Sequence, residues 1–358
     1  MEKMRLNHTP VRTCISFGIN DIVLDSFVLP EEIKRFDSVT IKKGTAKVTA
    51  NATINETPLT FGIESRLQEQ VYKNSNQSYQ ITLEQPMNEI VELDFDFNET
   101  NAYLVSSINI LAKEGAKGTV LLKYKSQENK ELPLEHYHNS ICRVTAKKNS
   151  DLKVILINLL SEKSRNFISL ESKVEESANL DVITVDFGGK SSISNYYMNL
   201  SQDHANGSIE SIFLGKESQK IDMNYIAQLR GKKSNANIDV QGALKDKASK
   251  SFKGTLDFKT GAKQAVGNEN EFCLLLSDRA RSKSLPMLLC SEEDVEGNHS
   301  SASGKVDAKE LFYLMSRGFS QKDAMKLLVL SRFTHIIDRM ELDELKEEVL
   351  AEIDKRLD

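Results

Sequence analysis

Between residues 150 and 260 the chain alternates short polar clusters with runs in which apolar side chains fall two apart. The clusters begin near Ser150, Ser164, Ser177, Ser191, Ala205, Ser218, Ser234 and Lys247. Each precedes a strand-like run, such as LKVILINLL, NFISLESKV, NLDVITVDF or KIDMNYIAQL. A period of two is that of a β-strand. The starts recur about every 13–14 residues, and about every 27–28 when alternate ones are compared. An array of tight hairpins would carry Asn-Gly or Asp-Gly at each reversal, and only Asn206-Gly207 qualifies. Stacked coils fit better, because each buries its face on the coils above and below and none is stable alone. The pattern predicts a mainly β chain with a parallel β-helix, or similar β-solenoid, from about 88 to 290 inside a β unit of 88–304. An antiparallel sandwich remains the alternative at this point.

After Gly304 the period changes to that of a helix. Asp307 with Glu310, and Ser320 with Asp323, make capping-box-like starts. Leu311, Leu314 and Met315 share one helical face, and Gly318 is placed to end that helix. A longer helix carries Ala324, Leu327, Leu328, Ile336 and Ile337. A last one carries Leu342, Leu345, Val349, Ile353 and Leu357. Residues 305–358 are therefore expected to form a helical, partner-binding unit whose thin core leans on the β region or on another protein. Residues 1–87 read as a less regular α/β segment, with strands in SVTIKKGTAKVTANATI and a short helix in ESRLQEQVYKNSNQ.

Composition narrows the function. A net charge of −5 with scattered basic residues argues against a nucleic-acid surface. No apolar run is long enough to span a bilayer, and MEKMRLNHTPVRTC carries no apolar signal region, so a soluble cytoplasmic protein is expected. Cys14, Cys142, Cys273 and Cys290 form no C-x-x-C pair and read as reduced thiols rather than a disulfide framework or zinc site. Cys273 lies in an apolar strand; Cys290 ends a strand before acidic residues, where it could be accessible, although strand-end packing is the plainer reading.

No motif makes an enzyme. Gly189-Lys190-Ser191 ends like a phosphate-binding loop, but Thr184 stands where the first glycine is needed. His136 and His138 would share one face of a strand, yet no third ligand is near, and two surface loop histidines are the plainer reading. A carbohydrate-active β-helix would want an aromatic groove and a ladder of Asp or Arg; the chain has no Trp and no such ladder. His299, among small residues at the junction of the β and helical regions, could serve as a ligand or proton carrier.

The run DVEGNHSSASGKVDAKELFYLMSRGFSQKDAMKLLV resembles the C-terminal signature of the SufB/SufD family of iron–sulfur cluster assembly proteins. Asp294, Val295, His299, Gly304, Asp307, Leu311, Phe312, Tyr313, Ser316, Arg317, Gly318 and Ala324 match in register. FKGTLDFKTGAKQAVGNENEFCLLLSDRARSKSLPML, upstream, and ETNAYLVSSINI at 99–110 are similar to further family segments. The resemblance covers about 100–358. It implies a right-handed parallel β-helix followed by helices. It also implies a non-enzymatic scaffold that pairs with a SufB-like subunit and docks a SufC-like ABC ATPase through its C-terminal helices. A homodimeric scaffold working with the ATPase alone is the alternative. Within the family, the B-type cysteine would fall near Ala280 and its glutamate at Ser300; neither is present. The D-type histidine falls on His299. The resemblance is therefore to the D-type subunit, and it makes His299 the cluster-proximal, metal-binding candidate. The usual Cys before that histidine is Gly297, and His-Gly-Ala has become His-Ser-Ser. Leu311, Phe312, Met315, Arg317, Leu327 and Leu328 are candidates for the helical core or partner contact. No stably bound cofactor is implied, only iron or an iron–sulfur cluster passing transiently at the complex interface.

Overall fold

The computed structural model describes residues 4–7, 19, 22–24, 28–127 and 134–358. β1 (Met4–Leu6) and β2 (Ile22–Leu24) pair antiparallel, and β3 (Val39–Lys42), β4 (Lys47–Ala50) and helix α1 (Ser65–Asn74) follow. Sixteen strands, β5 to β20, then pair in parallel as a solenoid of eight coils. The first eight are β5 (Gln77–Leu83), β6 (Val91–Phe97), β7 (Tyr103–Ala112), β8 (Lys117–Ser126), β9 (Tyr137–Ala146), β10 (Asp151–Leu159), β11 (Arg165–Val174) and β12 (Asn179–Asp186). The rest are β13 (Ser191–Leu200), β14 (Asn206–Gly215), β15 (Lys220–Leu229), β16 (Asn235–Leu244), β17 (Ser249–Phe258), β18 (Ala265–Leu275), β19 (Arg281–Cys290) and β20 (Val295–Lys305). Within the solenoid, even-numbered strands build one sheet and odd-numbered strands the other. The solenoid expectation holds, and the sandwich alternative falls with the parallel pairing.

Register explains the period in the sequence. Asp151 sits on Asn179, Asn179 on Asn206 and Asn206 on Asn235, a step of 27–29 residues. The step widens to 30–32 in the last coils, where Asn235 pairs with Val266 and Ser249 with Arg281. Corners turn through a residue in the left-handed region, among them Asn149, Ser177, His204 and Lys233. A small residue follows each: Ser150, Ala178, Ala205 and Ser234, all buried. A larger side chain there would collide with the coil above or below, which is why the polar clusters recur. Asn206-Gly207 is not a turn; it opens β14.

The lumen is filled by an apolar stack from Phe36 to Ala280. At its first end β3 and β4 pair antiparallel with β6 and β5, and Phe36 lies 6.3 Å from Phe95 and 5.0 Å from Phe97 between ring centroids. Both outer faces are also covered. Leu67 and Val71 of α1 pack with Met4, Leu6 and Leu24 on Val105, Ile141 and Phe167 of the odd sheet.

Three helices follow β20: α2 (Ala308–Ser316), α3 (Gln321–Asp338) and α4 (Asp343–Leu357). Asp307 caps α2 by accepting from the Lys309 amide, and the Ser320 hydroxyl caps α3 by accepting from the Asp323 amide. Val329, Phe333, Ile336 and Ile337 of α3 and Leu345, Val349 and Ile353 of α4 lie on Ile155, Ile183 and Ile212 of the even sheet. Charges fix the seating: Arg339 pairs with Asp181 at 2.9 Å and with Glu210, and Lys125 with Glu348 at 2.9 Å. Thus α3 and α4 are seated on the solenoid, and α2 stands apart with no buried residue.

Candidate functional site

The last coil sets the site. Among the described residues nothing pairs with the outer edges of β19 and β20, and most of β20 is exposed. Direction follows from contacts across the lumen. Ser284 of β19 and Ser301 of β20 both donate to Glu271 Oε2, at 2.9 and 2.8 Å. A Cβ added to Gly297 would lie 2.7 Å from Leu288 of the opposite sheet. Gly297 and Ser301 therefore face inward, and strand alternation carries His299, between them, to the same side. His299 itself is exposed because no coil lies on top of it.

Directly beneath is a buried polar layer. Lys250 and Glu271, both fully buried, form an ion pair. The Lys250 ammonium also donates to Ser284 Oγ at 2.8 Å, so Glu271 is neutralised and hydrogen-bonded on every side. Glu269, the register partner of His299, differs. It is 3% exposed, and neither carboxyl oxygen has a hydrogen-bond partner. Burial, and secondarily the charge of Glu271, push its carboxyl up to about 8 against the opposing pull of Lys250. It occupies the space left by Gly254, whose missing Cβ would lie 2.8 Å from its Cδ. Sequence reasoning did not single out Glu269, Glu271 or Lys250. The signal was two glutamates two apart in VGNENEF, on a strand whose next alternate position is the apolar-run residue Cys273.

The other predicted residues lie at the helical end. Phe312 is 73% exposed, and Met315 and Leu327 are exposed with it, against the expectation of a helical core. α2 finds no sheet beneath it, so its apolar face meets solvent. Leu311 is half-buried, and half-buried Leu328 packs against the α3–sheet core. The Arg317 guanidinium lies 5.1 Å from the ring centre of Tyr313, which is itself 56% exposed. Tyr313 and Phe319 join this apolar surface, although neither was a predicted contact. A groove of about 820 Å³ runs between α2, α3 and the even sheet, lined by Phe272, Leu274, Tyr313, Leu328 and Arg332. His299 on the lumen side and this helical surface on the outer face of the even sheet are separate features.

The remaining candidates resolve simply. His136 and His138 are not surface loop residues but buried ones, at the start of β9. His136 Nδ1 meets Ser126 Oγ at 2.7 Å, and His138 Nδ1 meets Asn166 Oδ1 at 2.7 Å. Desolvation lowers both imidazoles to about 4. Gly189-Lys190-Ser191 forms the corner before β13, with Gly189 at φ +89°. Cys142 and Cys273 are buried and Cys290 is exposed; Cys14 lies outside the described residues. Ala280 is buried at the corner before β19, and Ser300 lies exposed on β20 and donates to Asn270 Oδ1 at 2.7 Å. No described helix is long and apolar enough to cross a membrane.

Comparison with known proteins accounts for this arrangement. Residues 95–332 match the family model described as SUF system FeS cluster assembly, SufBD core domain. The chain is 26% identical to the iron–sulfur cluster assembly protein SufD of Bacillus subtilis over 71% of its own length and 58% of that protein's. It is 22% identical to SufD of Escherichia coli over 68% of its length and 57% of the relative's. A SufBD family protein of Pyrococcus horikoshii is 32% identical over 44% of this chain and 35% of its own. The chain thus spans less than two thirds of these relatives. The family match takes in fourteen of the solenoid's strands, His299, α2 and most of α3. On that match the chain belongs to the SufBD family of iron–sulfur cluster assembly proteins, and it is SufD-like.

Proposed function

We propose that the chain is a non-enzymatic scaffold subunit of an iron–sulfur cluster assembly complex. In this reading it pairs with a SufB-like subunit along the open edges of β19 and β20. It docks a SufC-like ABC ATPase on α2, with His299 close to the cluster or iron that passes through. The observation that carries the reading is α2: nine residues, none buried, with Phe312, Tyr313 and Met315 turned to solvent. An exposed aromatic face on a short helix, beside an 820 Å³ groove, is what a helix-in-groove partner recognises. The absence of Cys near 280 and Glu at 300 favours a supporting subunit over one that builds clusters alone.

The test is co-purification of the tagged chain with the ATPase of the same genome, with and without a SufB-like partner. The wild type should capture the ATPase, and Phe312→Asp combined with Met315→Asp should lose most of it while remaining folded. Capture unchanged by the double substitution would remove α2 from the dock. No capture by the wild type, even with the SufB-like protein present, would remove the scaffold reading.

A further inference from the structure

We propose that Glu269 and His299 together form a divalent-cation site, suited to first-row metals such as ferrous iron, at the mouth of the solenoid lumen. This deepens the reading of His299 as a cluster- or iron-proximal residue and rests on it. Four observations converge. His299 stands on the strand that ends the stack and faces inward, as the contacts of Gly297 and Ser301 establish. Glu269 is its register partner one strand below, on the same face. Neighbouring strands are about 4.8 Å apart, so the two residues are nearest neighbours on the inner face of the sheet. The carboxyl is buried, yet both its oxygens lack a partner, a costly arrangement that native interiors rarely keep without use.

The neighbouring polar groups cannot satisfy it. The Lys250 ammonium is committed to Glu271 and Ser284, and Ser301 donates to Glu271. Gly254 leaves the space in which the Glu269 side chain sits. One imidazole nitrogen and one carboxylate oxygen are a donor pair common to ferrous iron, manganese, cobalt and zinc. Among the described residues no set of three His, Cys, Asp or Glu side chains converges anywhere. Two ligands hold a cation loosely and leave its other positions open toward the exposed end. That suits a metal in transit, completed by water or by a protein docked there, rather than a resident cofactor.

The experiment titrates the purified full chain with Co²⁺, followed by visible absorption and equilibrium dialysis, with thermal melts of every variant. One Co²⁺ per chain is expected, with Glu269→Gln and His299→Gln each weakening binding at least tenfold. Asn298→Ala, on the other side of the strand, should bind as the wild type does. Glu269→Gln should melt no lower than the wild type, since the amide removes a buried ionisable group, so its loss of metal cannot be unfolding. Wild-type affinity in Glu269→Gln, with loss in His299→Gln, overturns the two-residue site but leaves His299 as a lone ligand. Wild-type affinity in both variants, or no stoichiometric binding at all, overturns the site and the metal reading of His299 together. Neither outcome touches the ATPase capture, which does not depend on these residues.

Discussion

At the scale of single residues, His138 shows what a β-solenoid does to a polar side chain. Its ring is fully buried, 4.0 Å from the centre of the Tyr124 ring, and desolvation holds it neutral against the opposing pull of its hydrogen bond to Asn166. The folded value near 4 lies below that of an unfolded histidine, near 6.5. The unfolded chain therefore takes up the proton first. The stability that comes from keeping His138 neutral is present above about pH 6.5 and is lost as pH falls toward 4. A difference of that size corresponds to about 3 kcal/mol. Thermal melts of His138→Asn should consequently fall less steeply between pH 6.5 and 4 than those of the wild type. Equal slopes would mean that other groups set the acid limb. The same burial hid the polar lumen from sequence reasoning. A strand covered on both faces loses its in–out alternation. Glu269 and Glu271 could be placed on one side of β18, but not on the inner side. His299 was singled out because a long motif surrounds it.

At the scale of elements, the regular parts were the readable ones. The polar clusters that begin near Ser150, Ser164, Ser177, Ser191, Ala205, Ser218, Ser234 and Lys247 each lie within two residues of an observed strand start. Sterics at the corners repeat in every coil, so composition repeats too. The short helix expected in ESRLQEQVYKNSNQ is α1. What the sequence could not decide was what each C-terminal helix packs against, because an apolar stripe looks the same whether a sheet or a partner covers it. Here α3 and α4 bury Val329, Phe333, Ile336, Ile337, Val349 and Ile353 on the solenoid. At about 2 kcal/mol for each such side chain, their removal costs about as much as the whole stability of an ordinary domain. Deleting residues 319–358 should therefore give an aggregating chain, with Ile155, Ile183 and Ile212 exposed and a hydrophobic dye bound. The Phe312→Asp, Met315→Asp chain should stay soluble with an unchanged melt. A soluble, cooperative deletion variant would show that the helices are seated less firmly than their burial implies.

At the scale of the molecule, the two ends of the stack differ. The first is covered by β3, β4 and Phe36, the last by no described residue. Leu288 and Leu289 are 39% and 36% exposed on β19, and long open edges recruit other strands unless they are blunted. Expressed without a partner, the chain should approach twice its monomer mass in light scattering as concentration rises, and Leu288→Lys should shift it back toward the monomer. A monomer at every concentration would show that the edge is specific for a different protein.

The inequality of the ends also limits how far association can run. A rod adhesive at both tips would add units without stopping, as fibrils do. This rod has unequal tips: β3 and β4 are four residues long and β19 and β20 ten and eleven, so an encounter along the axis would favour the longer edges. Association along the axis would then favour a pair, with whatever His299 and its neighbours hold enclosed at its midpoint.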